Sequence, residues 1–332
     1  RRRQADRVSK MKKDRLLTII IIIVSAAGII YFGYRAVSEN REKNRENPFA
    51  YNIEGFKKSE KSLEHYTEIK QVKINLEKVY GLAVGPSGHL YVSGDQSVLV
   101  LNKTGGRISS FKTPGTARCL AVDGNRDVYL GMTDHVEVYG SKGEKKAAWA
   151  SLGEKAVITS IALSKQDVFA ADAGNRVVLK FDKSGRKLAE IGKKNEAKDI
   201  PGFVIPSPYF DVAVDPDGFL WAANPGRHSL ENYTPDGDFR TSWGKYSMEP
   251  EDFCGCCNPT HMAILADGSF VTAEKGIVRV KIYNRLGKLA SLVAGPEAFA
   301  EGTVGLDLTV DSAGRIYVLD PSKRMVRIFN RD

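Results

Sequence analysis

Three of the four cysteines in this 332-residue sequence lie within four positions, as Cys254, Cys256 and Cys257 of the segment DFCGCCNPTH. Thiolates bind zinc, copper(I) and iron–sulfur clusters, and the imidazole of a nearby histidine such as His261 can replace one of them. In an oxidising compartment the same cysteines can form a disulfide instead. The segment therefore predicts a metal or redox site, with a structural disulfide between Cys254 and Cys257 as the alternative.

The elements that must position these residues follow one repeated pattern. Each repeat contains short apolar runs separated by turns such as PSG, PDG, ADG and SAG. The six repeats begin at Gly81, Cys119, Ser160, Asp211, His261 and Asp307, at separations of 38, 41, 51, 50 and 46 residues. Short strands rich in Val, Ile, Tyr and Leu at this spacing are typical of β-propeller blades, which have four strands each around a central channel.

The two ends of the repeated region indicate how the ring closes. The last repeat ends at Asp332 after only three predicted strands, and the segment HYTEIKQVKI, residues 65–74, can supply the fourth. A closed ring leaves no unpaired sheet edge, whereas a solenoid, the alternative, leaves two. The predicted fold class is therefore all-β, a six-bladed propeller over residues 65–332 closed by an N-terminal strand.

Three segments carry a family resemblance. DAGNRVVLKFDKSG at 172–185, LDPSKRMVRIFN at 319–330 and NPTHMAILADGSFVTAEKGIVRVKIYNRLGK at 258–288 resemble NHL repeats. The combination of ANPGRHSLENYTPDG, CGCCNPTH and EKGIVRVKIYN is similar to a group of bacterial membrane-anchored NHL proteins. The resemblance implies an NHL-type propeller, but it implies no single activity, because NHL propellers serve as scaffolds, ligand binders and lyases.

The repeat register predicts where the cysteines meet. The segment FCGCC enters the first strand of blade 5 at the channel mouth, and Cys119 begins the first strand of blade 2, on the opposite side of a six-membered ring. We therefore expect Cys119, Cys254, Cys256 and Cys257 to converge and to bind an iron–sulfur cluster or another thiolate-bound metal, with His261 as a further possible ligand. If a disulfide forms instead, no cofactor is expected.

A second candidate set shares one position of the repeat. Asp211, His261 and Asp307 begin the first strands of blades 4, 5 and 6, so they are expected at the channel mouth. Two carboxylates and an imidazole can bind a divalent cation or act as acid and base. Alternatively, the carboxylates bond nearby backbone N–H groups. We favour this second interpretation.

The N-terminal residues predict a membrane anchor. The net charge of +9 is concentrated in residues 1–47, which hold 12 Lys and Arg against 5 Asp and Glu, so the near-neutral body does not predict nucleic-acid binding. Residues 16–34 contain no charge and are long enough to span a bilayer as a helix. Residues 1–15 then form a basic cytoplasmic tail and 35–64 a juxtamembrane stalk, with the propeller on the extracytoplasmic side.

These features combine into one functional prediction. The chain is expected to act as a subunit of a larger membrane complex, with other subunits and the lipid bilayer as partners and with the Cys-rich site in electron transfer. The alternative is a metal-free protein- or ligand-binding scaffold with a structural disulfide. A lyase- or hydrolase-type enzyme is less favoured, because the sequence contains no G-x-S-x-G, Walker A, Rossmann glycine or H-E-x-x-H motif.

Overall fold

A computed structural model describes residues 24–35, 54–56, 61–198 and 200–332 of the chain. Residues 24–35 are helical, and residues 53–332 contain a compact unit of their own. The predicted tail, residues 16–23 of the predicted span and most of the predicted stalk lie outside the described residues. Within the part that is described, no helix is both long and apolar enough to cross a membrane.

The described residues of the compact unit form six antiparallel sheets of four strands each. Blade 1 contains β2 (Gly81–Val84), β3 (Leu90–Gly94), β4 (Ser97–Leu101) and β5 (Arg107–Lys112). Blade 2 contains β6 (Cys119–Val122), β7 (Val128–Gly131), β8 (Val136–Tyr139) and β9 (Lys145–Ala148). Blade 3 contains β10 (Ile158–Leu163), β11 (Asp167–Asp172), β12 (Val177–Asp182) and β13 (Lys187–Ile191).

The second half of the ring has the same construction. Blade 4 contains β14 (Val212–Val214), β15 (Leu220–Asn224), β16 (Ser229–Tyr233) and β17 (Phe239–Trp243). Blade 5 contains β18 (His261–Ile264), β19 (Phe270–Ala273), β20 (Val280–Tyr283) and β21 (Leu289–Ala294). Blade 6 contains β22 (Asp307–Val310), β23 (Ile316–Asp320) and β24 (Met325–Arg331), with β1 (Tyr66–Lys73) as its outermost strand. Short 3-10 helices cover Glu54–Phe56, Lys61–Leu63, Glu196–Lys198 and Pro296–Ala298.

The ring is closed, so the predicted all-β six-bladed propeller is confirmed. Each innermost strand contacts the innermost strand of the next blade, and β22 of blade 6 returns to β2 of blade 1. The strand that completes blade 6 is β1, which pairs antiparallel with β24. The Arg327 guanidinium donates from Nε and Nη2 to the two carboxylate oxygens of Glu68 on β1, at 2.9 and 2.6 Å. This bidentate pair joins the first and last strands of the propeller.

Burial follows the position of each strand within its blade. The middle strands β3, β15 and β16 are buried along their whole length, whereas the outermost strands β5 and β17 are mostly exposed. Six apolar clusters fill the six interfaces between neighbouring blades. Since burial of one large apolar side chain contributes roughly 1.5–3 kcal/mol, these interfaces hold the ring together.

The turn between the first and second strands explains the repeated glycine in the sequence. In four blades this turn ends with a glycine in the left-handed region of φ, which side chains other than glycine rarely adopt. These residues are Gly88, Gly218, Gly268 and Gly314, with φ of 72, 88, 83 and 79°.

Candidate functional site

The innermost strands line a central channel with a cavity of about 290 Å³. Asp211, His261, Asp307 and Cys119 are among the residues that line it. Asp307 and His261 are the first residues of β22 and β18, and Asp211 immediately precedes β14. The shared repeat position therefore brings Asp211, His261 and Asp307 to the same end of the channel.

Both carboxylates of this set accept hydrogen bonds from the backbone of two blades. Asp211 accepts from the N–H of Val212 at 2.9 Å and from the N–H of Met262, in blade 5, at 2.6 Å. Asp307 accepts from the N–H of Leu308 at 2.8 Å and from the N–H of Leu82, in blade 1, at 2.6 Å. Each carboxylate thus fastens its own innermost strand to that of the next blade.

The imidazole of His261 lies between the two carboxylates. Its Nδ1 is 3.7 Å from an oxygen of Asp211 and 3.5 Å from an oxygen of Asp307. Burial alone would lower the pKa of His261, but the neighbouring carboxylates of Asp211 and Asp307 outweigh burial and raise it. Burial raises the pKa of Asp307 to about 6 against the opposing effect of His261.

Cys119 is in the channel wall, apart from the other three cysteines. It is the first residue of β6 and belongs to the apolar cluster between blades 2 and 3, where it packs with Ile158 and Ile161. Burial, followed by the charges of Asp307 and Asp211, raises the pKa of its thiol well above the ordinary value. A thiol in these surroundings behaves as a small apolar side chain.

The other cysteines lie on the loop between β17 and β18, residues 244–260, which we call the cysteine loop. Side chains and backbone fasten this loop at several points. The Asn258 amide donates to the carbonyls of Cys254 at 2.5 Å and Lys275 at 2.9 Å, and it accepts from the Lys275 N–H at 2.9 Å. The Nε2 atom of His228 lies 2.6 Å from the carbonyl oxygen of Gly255. These contacts hold the segment 254–257 in one conformation.

A cluster of buried charged side chains in blade 5 contacts the cysteine loop. Glu274 forms ion pairs with Lys281 and with Arg279, the latter at 3.1 Å, and all three side chains are almost fully buried. Burial alone would raise the pKa of Glu274, but the two cations lower it. The Lys281 ammonium also donates to the loop carbonyls of Pro250 and Asp252 at 2.8 and 2.6 Å. These two hydrogen bonds connect the loop to blade 5. Breaking them would cost stability, because a buried charge would lose its partners.

The three thiols of the loop have different surroundings. Cys254 is buried, and its thiol donates to Glu274 at 3.3 Å. Burial, then the charge of Glu274, raises the pKa of Cys254 to about 11. Cys256 is exposed and Cys257 is buried, with their sulfur atoms 3.3 Å apart. Each of the four cysteines of the chain is a free thiol.

Three long loops lie on the same end of the propeller, because each joins an outermost strand to the innermost strand of the next blade. They are residues 192–210, 244–260 and 295–306, and together we call them the loop face. Val204, Tyr246 and Val304 lie on these loops with exposed fractions of 40, 52 and 51%. The Lys275 ammonium lies 4.7 Å from the centre of the Tyr209 ring, a contact between blade 5 and the loop that enters blade 4.

The structure brings together one predicted set and separates the other. Asp211, His261 and Asp307 meet as the register predicts, and their carboxylates bond backbone N–H groups as expected. The four cysteines do not converge, because Cys119 points into the interface of blades 2 and 3 while the other three lie on the loop beside Glu274. Among the residues that the structure describes, no group of three or more His, Cys, Asp or Glu side chains could hold a metal ion.

The sequence did not predict the buried charged cluster. Glu274, Arg279 and Lys281 occur in the segment EKGIVRVK, where charges beside short apolar runs are usual for a solvated strand. One available signal was the position of Arg279 and Lys281. They lie near or within the third strand of the blade, which is buried in this fold.

Comparisons with known proteins support the fold. No protein-family model matches the chain, and no curated protein sequence matches it. A protein of unknown function from Bacteroides thetaiotaomicron has a similar structure, with 16% identity and a TM-score of 0.59 over 80% of this chain and 72% of that chain. A streptogramin B lyase has 11% identity and a TM-score of 0.55 over 80% and 98% of the two chains.

A virginiamycin B lyase from Staphylococcus aureus is also similar, with 13% identity and a TM-score of 0.56 over 80% of this chain and all of the other. A catalytically inactive histidine-to-alanine variant of that lyase has been solved with quinupristin, at 12% identity to this chain and a TM-score of 0.55. At these identities the comparisons show a shared propeller scaffold, and they assign no reaction to this chain.

Proposed function

We propose that this chain is a membrane-anchored, extracytoplasmic NHL-type propeller that acts as a non-catalytic docking subunit of a larger membrane complex. The observation that carries the proposal is the loop face. Three long loops lie on one end of the propeller, and Val204, Tyr246 and Val304 expose apolar surface there. Binding residues of a rigid scaffold are commonly found on such loops.

The channel mouth supports a structural rather than a catalytic role for its polar residues. Both carboxylates already accept hydrogen bonds from the backbone N–H groups of neighbouring blades. Each of these hydrogen bonds holds a carboxylate oxygen against the innermost strand of its own blade or of the next blade, which is a structural role. We therefore propose no lyase or hydrolase chemistry at Asp211, His261 and Asp307, although lyases share the scaffold.

The anchor rests on the sequence of residues 16–34, an uncharged run that basic residues precede. The test is to prepare membranes from cells that make the full chain and to wash them with alkaline carbonate. We expect the chain to stay in the membrane pellet and to be cleaved by protease added outside spheroplasts. Release by carbonate, or protection of the propeller until the cells are lysed, would contradict the anchor and its orientation.

Docking is tested on the same membranes after extraction in a mild detergent. We expect the chain to migrate on native electrophoresis far above its own mass of 36.5 kDa together with other subunits. The variant Tyr246→Ala, which removes an exposed ring of the loop face, should shift a large share of the chain to the monomer position. A matched control is Leu286→Ala, which removes an exposed apolar side chain from the turn between β20 and β21, at the opposite end of the propeller. A wild-type chain that migrates alone would overturn the proposal.

A thiolate-bound metal on the cysteine loop is the second candidate, with electron transfer as its role. The observation in its favour is that Cys254, Cys256 and Cys257 lie within a four-residue segment of the cysteine loop, which hydrogen bonds hold in place. The candidate ligands are these three thiols, because Cys119 and His261 lie in the channel wall. To bind one ion the three thiols would have to move closer together, since they form no metal-binding group in the described conformation. Metal and acid-labile sulfide measured on chain purified without oxygen decide between the candidates. A stoichiometric metal that Cys256→Ser removes would favour this second role.

A further inference from the structure

Cys256 and Cys257 are adjacent in sequence, and their sulfur atoms are 3.3 Å apart. The usual sulfur–sulfur distance in a disulfide is about 2.05 Å, so the two sulfur atoms lie outside bonding distance and must approach each other to form a bond. The contacts of Asn258 and His228 fasten the loop on both sides of this pair. The two thiols are therefore held near each other.

The two thiols are unequally accessible. Cys256 is exposed on the loop face, whereas Cys257 is buried beneath it. An exposed thiol can be attacked by, or can attack, a sulfur atom of another molecule. A buried neighbour can then react only within the chain. Exposure of one thiol and adjacency of a buried second thiol are features of an attacking and a resolving cysteine in thiol–disulfide exchange. The hydrogen bond with Cys257 raises the pKa of Cys256, so its attacking thiolate is a minor species at neutral pH.

Cys254 is not part of this pair. Its thiol is buried and donates to Glu274, and Glu274 is itself held by Arg279 and Lys281. Withdrawing Cys254 from this contact would leave one oxygen of a buried carboxylate with one fewer donor. Such a loss is costly in an interior. The redox chemistry therefore falls on Cys256 and Cys257.

We propose that Cys256 and Cys257 form a redox-active vicinal dithiol that exchanges electrons with the disulfide of a partner protein. The Cys256 thiolate attacks one sulfur of the partner's disulfide, which forms a mixed disulfide and releases one partner thiolate. The Cys257 thiolate then attacks the sulfur of Cys256, which forms the Cys256–Cys257 bond and releases the second partner thiolate. Two electrons pass to the partner, and the two protons of the dithiol are taken up by the partner's thiolates.

The ring formed by neighbouring cysteines suits a bond that is made and broken repeatedly. Adjacent Cα atoms are about 3.8 Å apart, which is shorter than the range of about 4.4–6.8 Å in most disulfides. Strain of this kind makes a disulfide easier to reduce, and easily reduced disulfides are the regulatory or catalytic ones. This inference concerns the chemistry of the loop and does not depend on the proposed membrane anchor.

The test uses the full chain in detergent, reduced and then freed of reductant, with glutathione disulfide as the probe. We expect two of the four thiols to be lost, and peptide mapping should find the bond between Cys256 and Cys257 with Cys119 and Cys254 still free. The reaction should reverse on addition of reduced glutathione. A stable link between Cys254 and Cys257, or four unreacted thiols, would overturn the proposal.

Two variants make the order of attack testable. Cys257→Ser lacks the resolving thiol, so a mixed disulfide with glutathione should accumulate on Cys256. Cys119→Ser should oxidise as the wild type does, because Cys119 lies in the channel wall. Thermal unfolding monitored by circular dichroism verifies that both variants are folded. If wild type also stops at the mixed disulfide, the vicinal bond does not form and the proposal fails.

Discussion

The channel mouth and the cysteine loop are both rich in reactive side chains, but the protein uses them differently. At the channel mouth, the carboxylates of Asp211 and Asp307 accept hydrogen bonds from backbone N–H groups of neighbouring blades, and His261 lies between them. On the cysteine loop, Cys256 is exposed, and its thiol contacts the thiol of the neighbouring Cys257. The two regions therefore differ in how far hydrogen bonds within the fold already occupy their reactive side chains.

A substitution in the buried charged cluster that contacts the cysteine loop should have the largest effect on stability. Lys281→Met removes a buried cation that pairs with Glu274 and binds the carbonyls of Pro250 and Asp252. We expect the free energy of unfolding, measured by denaturant titration, to fall by about 3–5 kcal/mol, because a buried charge loses a partner. The exposed Lys187→Met is the control and should change stability by less than about 1 kcal/mol. Equal effects in the two variants would contradict a structural cluster below the loop.

The channel mouth should respond less strongly to the loss of a carboxylate. Asp307→Asn leaves one of the two N–H donors, those of Leu82 and Leu308, without its charged acceptor. We expect a loss of about 1–3 kcal/mol in unfolding free energy, with no change in docking. Asp236→Asn, at an 89% exposed side chain, is the control and should stay within about 0.5 kcal/mol. An unchanged stability in Asp307→Asn would show that this carboxylate does not fasten the blades.

The pH dependence of stability sharpens the role of the imidazole. Because the folded pKa of His261 is raised, its stabilisation is complete below the unfolded value of about 6.5 and is lost as pH rises through the folded pKa. Asp307 acts in the same direction at lower pH, since its folded pKa of about 6 also exceeds the ordinary value. Denaturant titrations of wild type between about pH 6 and pH 9 should show falling stability, and His261→Gln should flatten the curve. Parallel curves for the two proteins would contradict the placement of His261 between charged carboxylates.

The smallest effect on stability is expected at the exposed cysteine. Cys256→Ser should change the unfolding free energy by no more than about 0.5 kcal/mol, because the side chain lies at the surface. Cys254→Ser, at a buried site beside Glu274, should cost more, roughly 1–3 kcal/mol. If Cys256→Ser proved the more destabilising of the two, its thiol would be structural, and the contrast with the channel mouth would disappear.

The sequence predicted the ring better than it predicted the site. Repeat spacing and turn glycines predict the blades, because short strands and tight turns have local sequence patterns. The strand that completes blade 6 was predicted from residues 65–74, because the last repeat has only three strands. The same register correctly brought His261 to Asp211 and Asp307. It failed for Cys119, because the entry position of a strand does not fix whether its side chain faces the channel or the next blade.

The buried cluster under the loop shows a second limit. The sequence EKGIVRVK predicts solvated charges. Only the path of the loop that covers them shows that its glutamate, arginine and second lysine are buried. Their burial arises from the long connection before blade 5, whose path depends on contacts with His228 and Asn258 that no local pattern encodes. Tertiary contacts of this kind decide the surroundings of Cys254, Cys256 and Cys257.

The central claim is that the function of this chain resides on the loop face and not at the channel mouth. The most direct measurement is native electrophoresis of detergent-extracted membranes that contain wild type, Tyr246→Ala or His261→Gln, each verified as folded. We predict that His261→Gln assembles as wild type does and that Tyr246→Ala is largely lost from the large complex. Assembly lost in His261→Gln and retained in Tyr246→Ala would contradict the claim.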